Sequence, residues 1–312
     1  MKISFVIPCY RSETTIGGVV SELLSVLSQR PDVDYEIIMV SDHSPDNVYR
    51  VIERMCRNDP ERLQGIELAR NFGQHSALMA GYAHAKGDVI FSLDDDGQAP
   101  VESVFAVLDT LEDEDYDVVF GSYPAKKHSL FRNFGSQVND FMLRWLLNKP
   151  KSLRITSFFA MRRFVSEAML SYSGAFPYIA GLLFRVTKNI GNVEVRHRER
   201  ADGVSGYTIR KLLSLWLNGF TAFSVKPLQV ATFAGLAMSV AGFAFGIWTI
   251  VRKLFIAPDM PIGYSSTMSV LLLTGGMLMI MLGLIGEYIG RIYICINQSP
   301  QYVIRRQTRE KR

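Results

Sequence analysis

Apolar residues along this chain follow two regimes. As far as residue 226 they come as short runs alternating with helically spaced stretches. Ile3–Pro8 (ISFVIP), Tyr35–Ser41 (YEIIMVS), Leu63–Leu68 (LQGIEL), Val89–Leu93 (VIFSL) and Tyr116–Gly121 (YDVVFG) are near-continuous apolar runs bounded by turn residues, the pattern of strands buried on both faces. Thr14–Gln29, a segment from Ser44 to about Asn58, His75–Ala85 and Pro100–Leu111 predict helices between them. Ser44 and Pro45 stand as N-cap and first helical residue of the second. Strands alternating with helices predict an α/β unit with a mostly parallel sheet covered on both faces. In such sheets, ligands bind beyond the carboxyl ends of the strands.

The second regime begins after Pro227. Leu228–Val251 and Tyr264–Gly286 contain no charged residue, and a helix needs about 20 such residues to cross about 30 Å of hydrocarbon. Buried helices of a large core are the alternative, although those usually keep one polar face. The flanks carry the positive charge: Arg196, Arg198, Arg200, Arg210, Lys211 and Lys226 before the pair, Arg291, Arg305, Arg306, Arg309, Lys311 and Arg312 after it. The short connection holds only Arg252, Lys253 and Asp259. This distribution places the α/β unit and the C-terminus on the cytoplasmic side of a two-crossing hairpin. Gly242/Gly246 and Gly286/Gly290 permit close helix contact within one chain or between copies, so a homo-oligomer is compatible with the spacing. Ahead of the first crossing, Leu212, Leu213, Trp216, Leu217, Phe220 and Phe223 recur three and four apart behind Arg210 and Lys211. That is the pattern of a helix lying in the headgroup plane, or of a surface helix packed on the domain. Tyr288–Arg306 is a second basic and aromatic stretch that could mirror it. The expected division is a catalytic unit over 1–206, an interfacial helix over 207–227, a transmembrane hairpin over 228–290 (228–251 and 264–286) and a basic tail over 291–312.

Composition narrows the function further. A net charge of +4 is too small to argue for nucleic acid. Three cysteines, Cys9, Cys56 and Cys295, lie far apart without a CxxC pair, which argues against a disulfide framework or structural zinc. The N-terminal MKISFVIP is too short in apolar residues for a signal peptide.

Candidate chemistry sits just after the strands. The first run ends in Pro8-Cys9-Tyr10, the second in Ser41-Asp42-His43-Ser44, the fourth in Asp94-Asp95-Asp96-Gly97-Gln98. Residues i and i+2 at a strand end project to the same side. Asp94 and Asp96 could thus share one divalent cation, with Asp95 aimed elsewhere. Crowded carboxylates repel unless a cation neutralises them, and oxygen ligands suit Mg²⁺ or Mn²⁺ bridging to phosphates. A solvated acidic turn is the other reading. Asp42 fits a nucleobase or ribose contact, or else an Asx-turn or N-cap ahead of Pro45, a capping role for which Asp46 is better placed. Arg70 to His75 (RNFGQH) offers a cation, amides and a helix start suited to an anion, or a plain capped loop. Lys126, Lys127, His128, Arg132, Arg162, Arg163 and Arg200 place basic groups between the crevice and the membrane, suited to a lipid-linked phosphate or to anionic headgroups.

VIPCYRSE, VSDHSPD, LARNFGQHSALMAGYAHAKGDVIFSLDDDGQAP, LFRNFGS and RADGVSGY, in this order, resemble the family 2 inverting glycosyltransferases of GT-A type. The similarity is to their polyprenyl-phosphate branch: dolichol-phosphate mannose synthases, undecaprenyl-phosphate aminoarabinose transferases and bactoprenol glucosyltransferases. The resemblance implies a GT-A nucleotide-sugar-binding domain and a hexosyltransferase-type enzyme. It would move a sugar, UDP-linked in most of the branch, to undecaprenyl or another polyprenyl phosphate. The setting it implies is the bacterial cytoplasmic membrane and cell-envelope synthesis. Carried over by motif, Asp94 and Asp96 match the metal pair, and Gln98 the following Gln. Pro8, Tyr10, Glu13 and Asp42 match the nucleotide pocket, and Arg70, Asp94 and Asp95 are expected to bind the nucleotide-sugar with them. Arg132, Ser136, Arg200 and Ser205 fall where catalytic or acceptor contacts are expected. Two positions depart from the pattern: Tyr123 follows Gly121-Ser122 where the family often has Arg, and Gly206 replaces the Lys of GxSKY. A non-catalytic nucleotide-sugar scaffold would not need the acidic triplet. A processive polysaccharide synthase would carry more crossings and a QxxRW motif, and Phe141 occupies the Gln position ahead of Arg144-Trp145.

Overall fold

The computed structural model describes residues 1–123, 150, 153–195, 226–255, 263–297 and 299–309. The chain divides into two compact units, Met1–Thr208 with Gln298–Arg312, and Ile209–Asn297. The first is an α/β unit. Its elements are β1 (Lys2–Cys9), α1 (Ile16–Leu27), β2 (Asp34–Ser41), α2 (Val48–Asn58), β3 (Leu63–Leu68), α3 (Gln74–Tyr82), β4 (Val89–Ser92), a 3₁₀ turn over Val101–Ser103, α4 (Val104–Asp113), β5 (Val118–Ser122), β6 (Phe159–Arg162), α5 (Arg163–Leu170), α6 (Ile179–Val186) and β7 (Ile190–Glu194). The second unit contributes α7 (Lys226–Phe255) and α8 (Tyr264–Ile296), and β8 (Ile304–Gln307) belongs to the first.

Among the described residues the sheet has eight strands in the order β7-β5-β6-β4-β1-β2-β3-β8. β1 pairs in parallel with β2 on one side and β4 on the other, and β2 with β3. The five apolar runs are thus strands, and the sheet is mostly parallel as expected. Antiparallel pairing enters through β6, which lies between β4 and β5, and through β8. Helices cover both faces, so the central strands have no solvated side: Phe5, Val6 and Ile7 of β1 are fully buried. Phe5 stacks on Phe91 at 5.2 Å between ring centroids, and Phe91 meets Phe158 at 6.2 Å. Chain order reverses around β1, with α1 leading to β2 on one side and β4 arriving on the other. The switch point of this sheet is therefore the crevice beyond the carboxyl ends of β1 and β4.

Three boundaries differ from the sequence expectation. α2 starts at Val48 rather than at Pro45, because Ser44 is used elsewhere: its Oγ accepts from Arg11 N at 2.7 Å and donates to Asp46 Oδ1 at 2.6 Å. Asn47 is the N-cap, without a side-chain bond of its own, and Asp46 just before it accepts from Val48 N at 3.3 Å. The second apolar run continues as one helix to Ile296, past Gly286. The basic stretch 291–312, expected as a tail, holds the end of α8 and then an edge strand. The interfacial helix of 207–227 falls outside the described residues as far as 225, and Lys226 and Pro227 open α7. Ala231–Trp248 and Leu273–Gly290 are long and apolar enough to span a bilayer. Large apolar side chains point outward on both helices, Phe243 and Ile280 among them, each about three-quarters exposed (73% and 74%). Water would not tolerate that much contiguous apolar surface.

Candidate active site

A cavity of about 330 Å³ opens at the switch point, lined by Pro8, Cys9 and Tyr10 after β1, Asp42 after β2, Asn71, Gly73 and Gln74 before and at the start of α3, and Asp94, Asp95 and Asp96 after β4. Four separate strand ends thus bring the expected motifs into one place. Two of these ends are strained: Arg11 (φ 59°) and His43 (φ 50°) adopt left-handed backbone that non-glycine residues rarely take.

Asp42 is 3% exposed, and both its oxygens are engaged. Oδ1 accepts from Phe72 N at 2.7 Å and Oδ2 from Gly73 N at 2.8 Å. Burial pushes its carboxyl above the ordinary range, and the two N–H donors pull against that rise. Asp42 thus braces the Arg70–Gly73 loop while it lines the cavity. Gly73 is at φ 91°, which a side chain would strain. That turn aims its N–H at Asp42 and lets α3 begin at Gln74.

The acidic triplet divides its labour. Asp94 Oδ1 accepts from Gln74 Nε2 at 2.8 Å, and Oδ2 accepts from the Ser157 hydroxyl, in the loop ahead of β6. Burial raises its pKa first, the Ser157 bond opposes that, and the Asp96 and Asp95 charges add to the rise. Asp96 is exposed and held by its neighbour: Gln98 N donates at 3.0 Å and Gln98 Nε2 at 2.6 Å. Asp95 turns toward β1. Its Oδ2 accepts from Tyr10 N at 2.9 Å and its carbonyl accepts from Thr15 Oγ1 at 2.7 Å. All donors on Asp94 and Asp96 named here are neutral, so the pair's charge is not cancelled by them. Tyr123 completes the acidic side. Its phenol is pushed up to about 12 by burial, with the Asp94 and Asp96 carboxylates contributing.

Other expected site residues fall differently. Glu13 Oε2 accepts from Asn47 N at 3.0 Å, and Glu13 N donates to Asp46 at 2.9 Å, so Glu13 ties the β1 loop to the start of α2 and does not line the cavity. The Arg70 guanidinium lies over the Phe72 ring at 4.6 Å, and Arg70 is also not among the lining residues. Arg132, Ser136, Arg200 and Ser205 lie outside the described residues. Sequence reasoning missed Ser157 and gave Gln74 no partner. Ser157 stands in ITSFFAM, which reads only as an apolar run, and it is 63 residues from Asp94.

Residues 4–170 match Glycosyl transferase family 2, and residues 226–292 match the GtrB C-terminal hairpin. An undecaprenyl-phosphate 4-deoxy-4-formamido-L-arabinose transferase of Yersinia pestis (strain Pestoides F) is 31% identical over 98% of this chain and 93% of its own length. The enzyme of the same name from Proteus mirabilis is 32% identical over the same shares. Among solved structures, glucosyl-3-phosphoglycerate synthase from Mycobacterium tuberculosis, in complex with Mn²⁺ and UDP-glucose, aligns with TM-score 0.50 at 19% identity over 70% of this chain and 77% of its own. Mannosyl-3-phosphoglycerate synthase from Rubrobacter xylanophilus aligns with TM-score 0.52 at 15% identity over 71% and 73%. These two likenesses are of fold.

Proposed function

The chain belongs to glycosyl transferase family 2, and on that premise we propose that it moves a glycosyl group from a nucleotide-sugar, a UDP-sugar in the first instance, to undecaprenyl or a related polyprenyl phosphate, with inversion at the anomeric carbon. The observation that carries the reading is the pair Asp94 and Asp96, set at the open end of β4 on a cavity that Tyr10, Asn71 and Gly73 also line. The near-full-length relatives, named as undecaprenyl-phosphate sugar transferases, support the acceptor. Two membrane-length helices support a lipid substrate.

The acidic pair fits a divalent cation. Among the described residues no group of three His, Cys, Asp or Glu side chains is placed to hold one. Asp94 and Asp96 would hold such a cation, and few protein ligands suit Mg²⁺ or Mn²⁺ in phosphate chemistry. Gln74, Ser157 and Gln98 fix the carboxylates without neutralising them. A bound cation would offset the charge that develops on the departing diphosphate. Asp95 holds the Tyr10 backbone and Asp42 holds the Phe72–Gly73 backbone, which keeps the cavity walls in place before substrate arrives. The acceptor needs little help from a base: a phosphate monoester has a second pKa of about 6 and is largely dianionic near neutrality. By motif alone, Arg132 and Arg200 would serve its phosphate and Ser136 and Ser205 would be further acceptor contacts. The α/β unit faces the bacterial cytoplasm in this reading. Pairing of β8 with β3 supports one half of it, since the chain before α7 and after α8 must then share one side of the membrane.

The test is incubation of the purified full chain with undecaprenyl phosphate and a panel of UDP-, dTDP- and GDP-sugars, with and without Mg²⁺ or Mn²⁺, followed by mass spectrometry of the lipid. One donor is expected to yield glycosylated lipid only when cation is present. Asp94→Ala and Asp96→Ala should each lower transfer by at least about 100-fold while leaving membrane insertion intact. Transfer retained in either variant refutes the assignment of the pair.

A further inference from the structure

The described C-terminal residues return to the α/β unit and close its sheet edge beside the candidate site. β8 runs antiparallel to β3, with Gln307 opposite Ile66, Arg306 opposite Glu67 and Ile304 opposite Leu68. Thr308 reinforces one end, its N–H donating to Gly65 O and its Oγ1 accepting from Gly65 N, both at 2.9 Å. At the other end, Ala69 N donates to Val303 O at 2.8 Å. Arg306 locks the strand sideways. Its Nε donates to the buried Glu67 carboxylate at 2.7 Å, an η nitrogen lies 3.8 Å from Glu53, and its guanidinium covers the Tyr49 ring at 4.3 Å.

Ala69 is the residue at which β3 gives way to the loop that walls the cavity. That loop is held at three successive points: Ala69 by Val303, Phe72 and Gly73 by Asp42, and Gln74 by its bond to Asp94. We infer that β8, with Arg306 as its lock, is a positioning element for the donor cavity, fixing the near end of the Arg70–Gln74 loop so that Gln74 meets Asp94 in register. This rests on the reading of the cavity as the donor site given above. A loop anchored at both ends pays less ordering entropy when substrate binds. Releasing one anchor lets it open locally without unfolding the sheet. β8 also covers an edge that would otherwise expose the unpaired groups of β3.

Hydrogen exchange on the full chain in detergent tests the mechanical half, and steady-state kinetics on the donor that the wild type turns over tests the functional half. Arg306→Glu sets a third carboxylate against Glu67 and Glu53. It should speed exchange at Ala69, Phe72 and Gly73 by about tenfold or more. The donor KM should rise by about five- to tenfold, with kcat and the undecaprenyl-phosphate KM changed by less than about twofold. Arg306→Lys should restore most of both. Thr308→Val, which removes one acceptor and keeps the shape, should move both readouts the same way by less, and it serves if Arg306→Glu fails to fold. Unchanged exchange at Phe72 and Gly73 while the Val303–Gln307 amides are freed would overturn the inference, as would equal rises in both KM values. If the wild type turns over no donor, the proposed reaction fails, and the exchange arm still decides the role of β8.

Discussion

His75 occupies the second position of α3, its Nδ1 buried without a hydrogen-bond partner and its ring edge-on to Tyr178 at 5.3 Å between centroids. Burial lowers its pKa to about 4. The folded protein therefore keeps His75 neutral where the unfolded chain, with a pKa near 6.5, takes up a proton. Stability from this group is whole above pH 6.5 and is lost as pH falls toward 4, by about 3 kcal/mol in all. Thermal unfolding of the full chain should show that decline, and His75→Phe should flatten it between pH 6.5 and 4; an unchanged slope would exonerate the histidine. At this scale the acidic residues were legible because their meaning is local: a strand run followed at once by three carboxylates. Asp42 was half legible. Its position after β2 is in the sequence, but its partners lie 30 and 31 residues away, so its bracing of the loop could not be read. The partners of Glu13, Asn47 and Asp46, lie 34 and 33 residues away and were hidden for the same reason.

Strands β1 to β5 were predicted because each is a near-continuous apolar run, and β6, β7 and β8 were not. β7 (IGNVE) contains Gly and Asn, poor strand formers, and β8 (IRRQ) is too charged to resemble a buried run. Charge on an outermost strand is an ordinary protection against further pairing, and in sequence it is indistinguishable from a basic tail. Helix α3, which carries Gln74, depends on one contact of this scale. A Cβ on Gly81 would stand 2.2 Å from Val6 Cγ1 and 3.3 Å from Val40 Cγ2. Gly81→Ala gains up to about 1 kcal/mol of helix propensity but overpacks a filled core, at about 1–3 kcal/mol. The net outcome should be a lower unfolding temperature and reduced transfer as α3 is pushed off β1. Wild-type stability in that variant would mean the core yields more easily than its packing suggests.

For the whole molecule, strand pairing and the two apolar helices make the same demand. In the proposed topology, with two crossings and the α/β unit cytoplasmic, residues on either side of α7 and α8 lie on one side of the membrane, as the bonding of β8 to β3 requires. In a Cys295→Ser background, where Cys9 and Cys56 are buried, cysteines introduced at Arg57 and Arg305 should both react with a membrane-impermeant maleimide in inverted vesicles and resist it in right-side-out ones. A cysteine at Asp259 should do the reverse. Labelling of positions 57 and 305 from opposite faces would rule out two crossings.

Periodicity and composition alone determined the alternating α/β unit, the two membrane-length helices and the carboxylates at the end of β4, since each is written in neighbouring residues and repeats with the geometry of one element. Tertiary structure decided which carboxylate oxygens are engaged, that Ser157 reaches Asp94, and that a charged C-terminal segment becomes the sheet's last strand. Those contacts join residues 63 and 239 positions apart. Separations of that size leave no local pattern, because chain folding rather than backbone period brings the partners together.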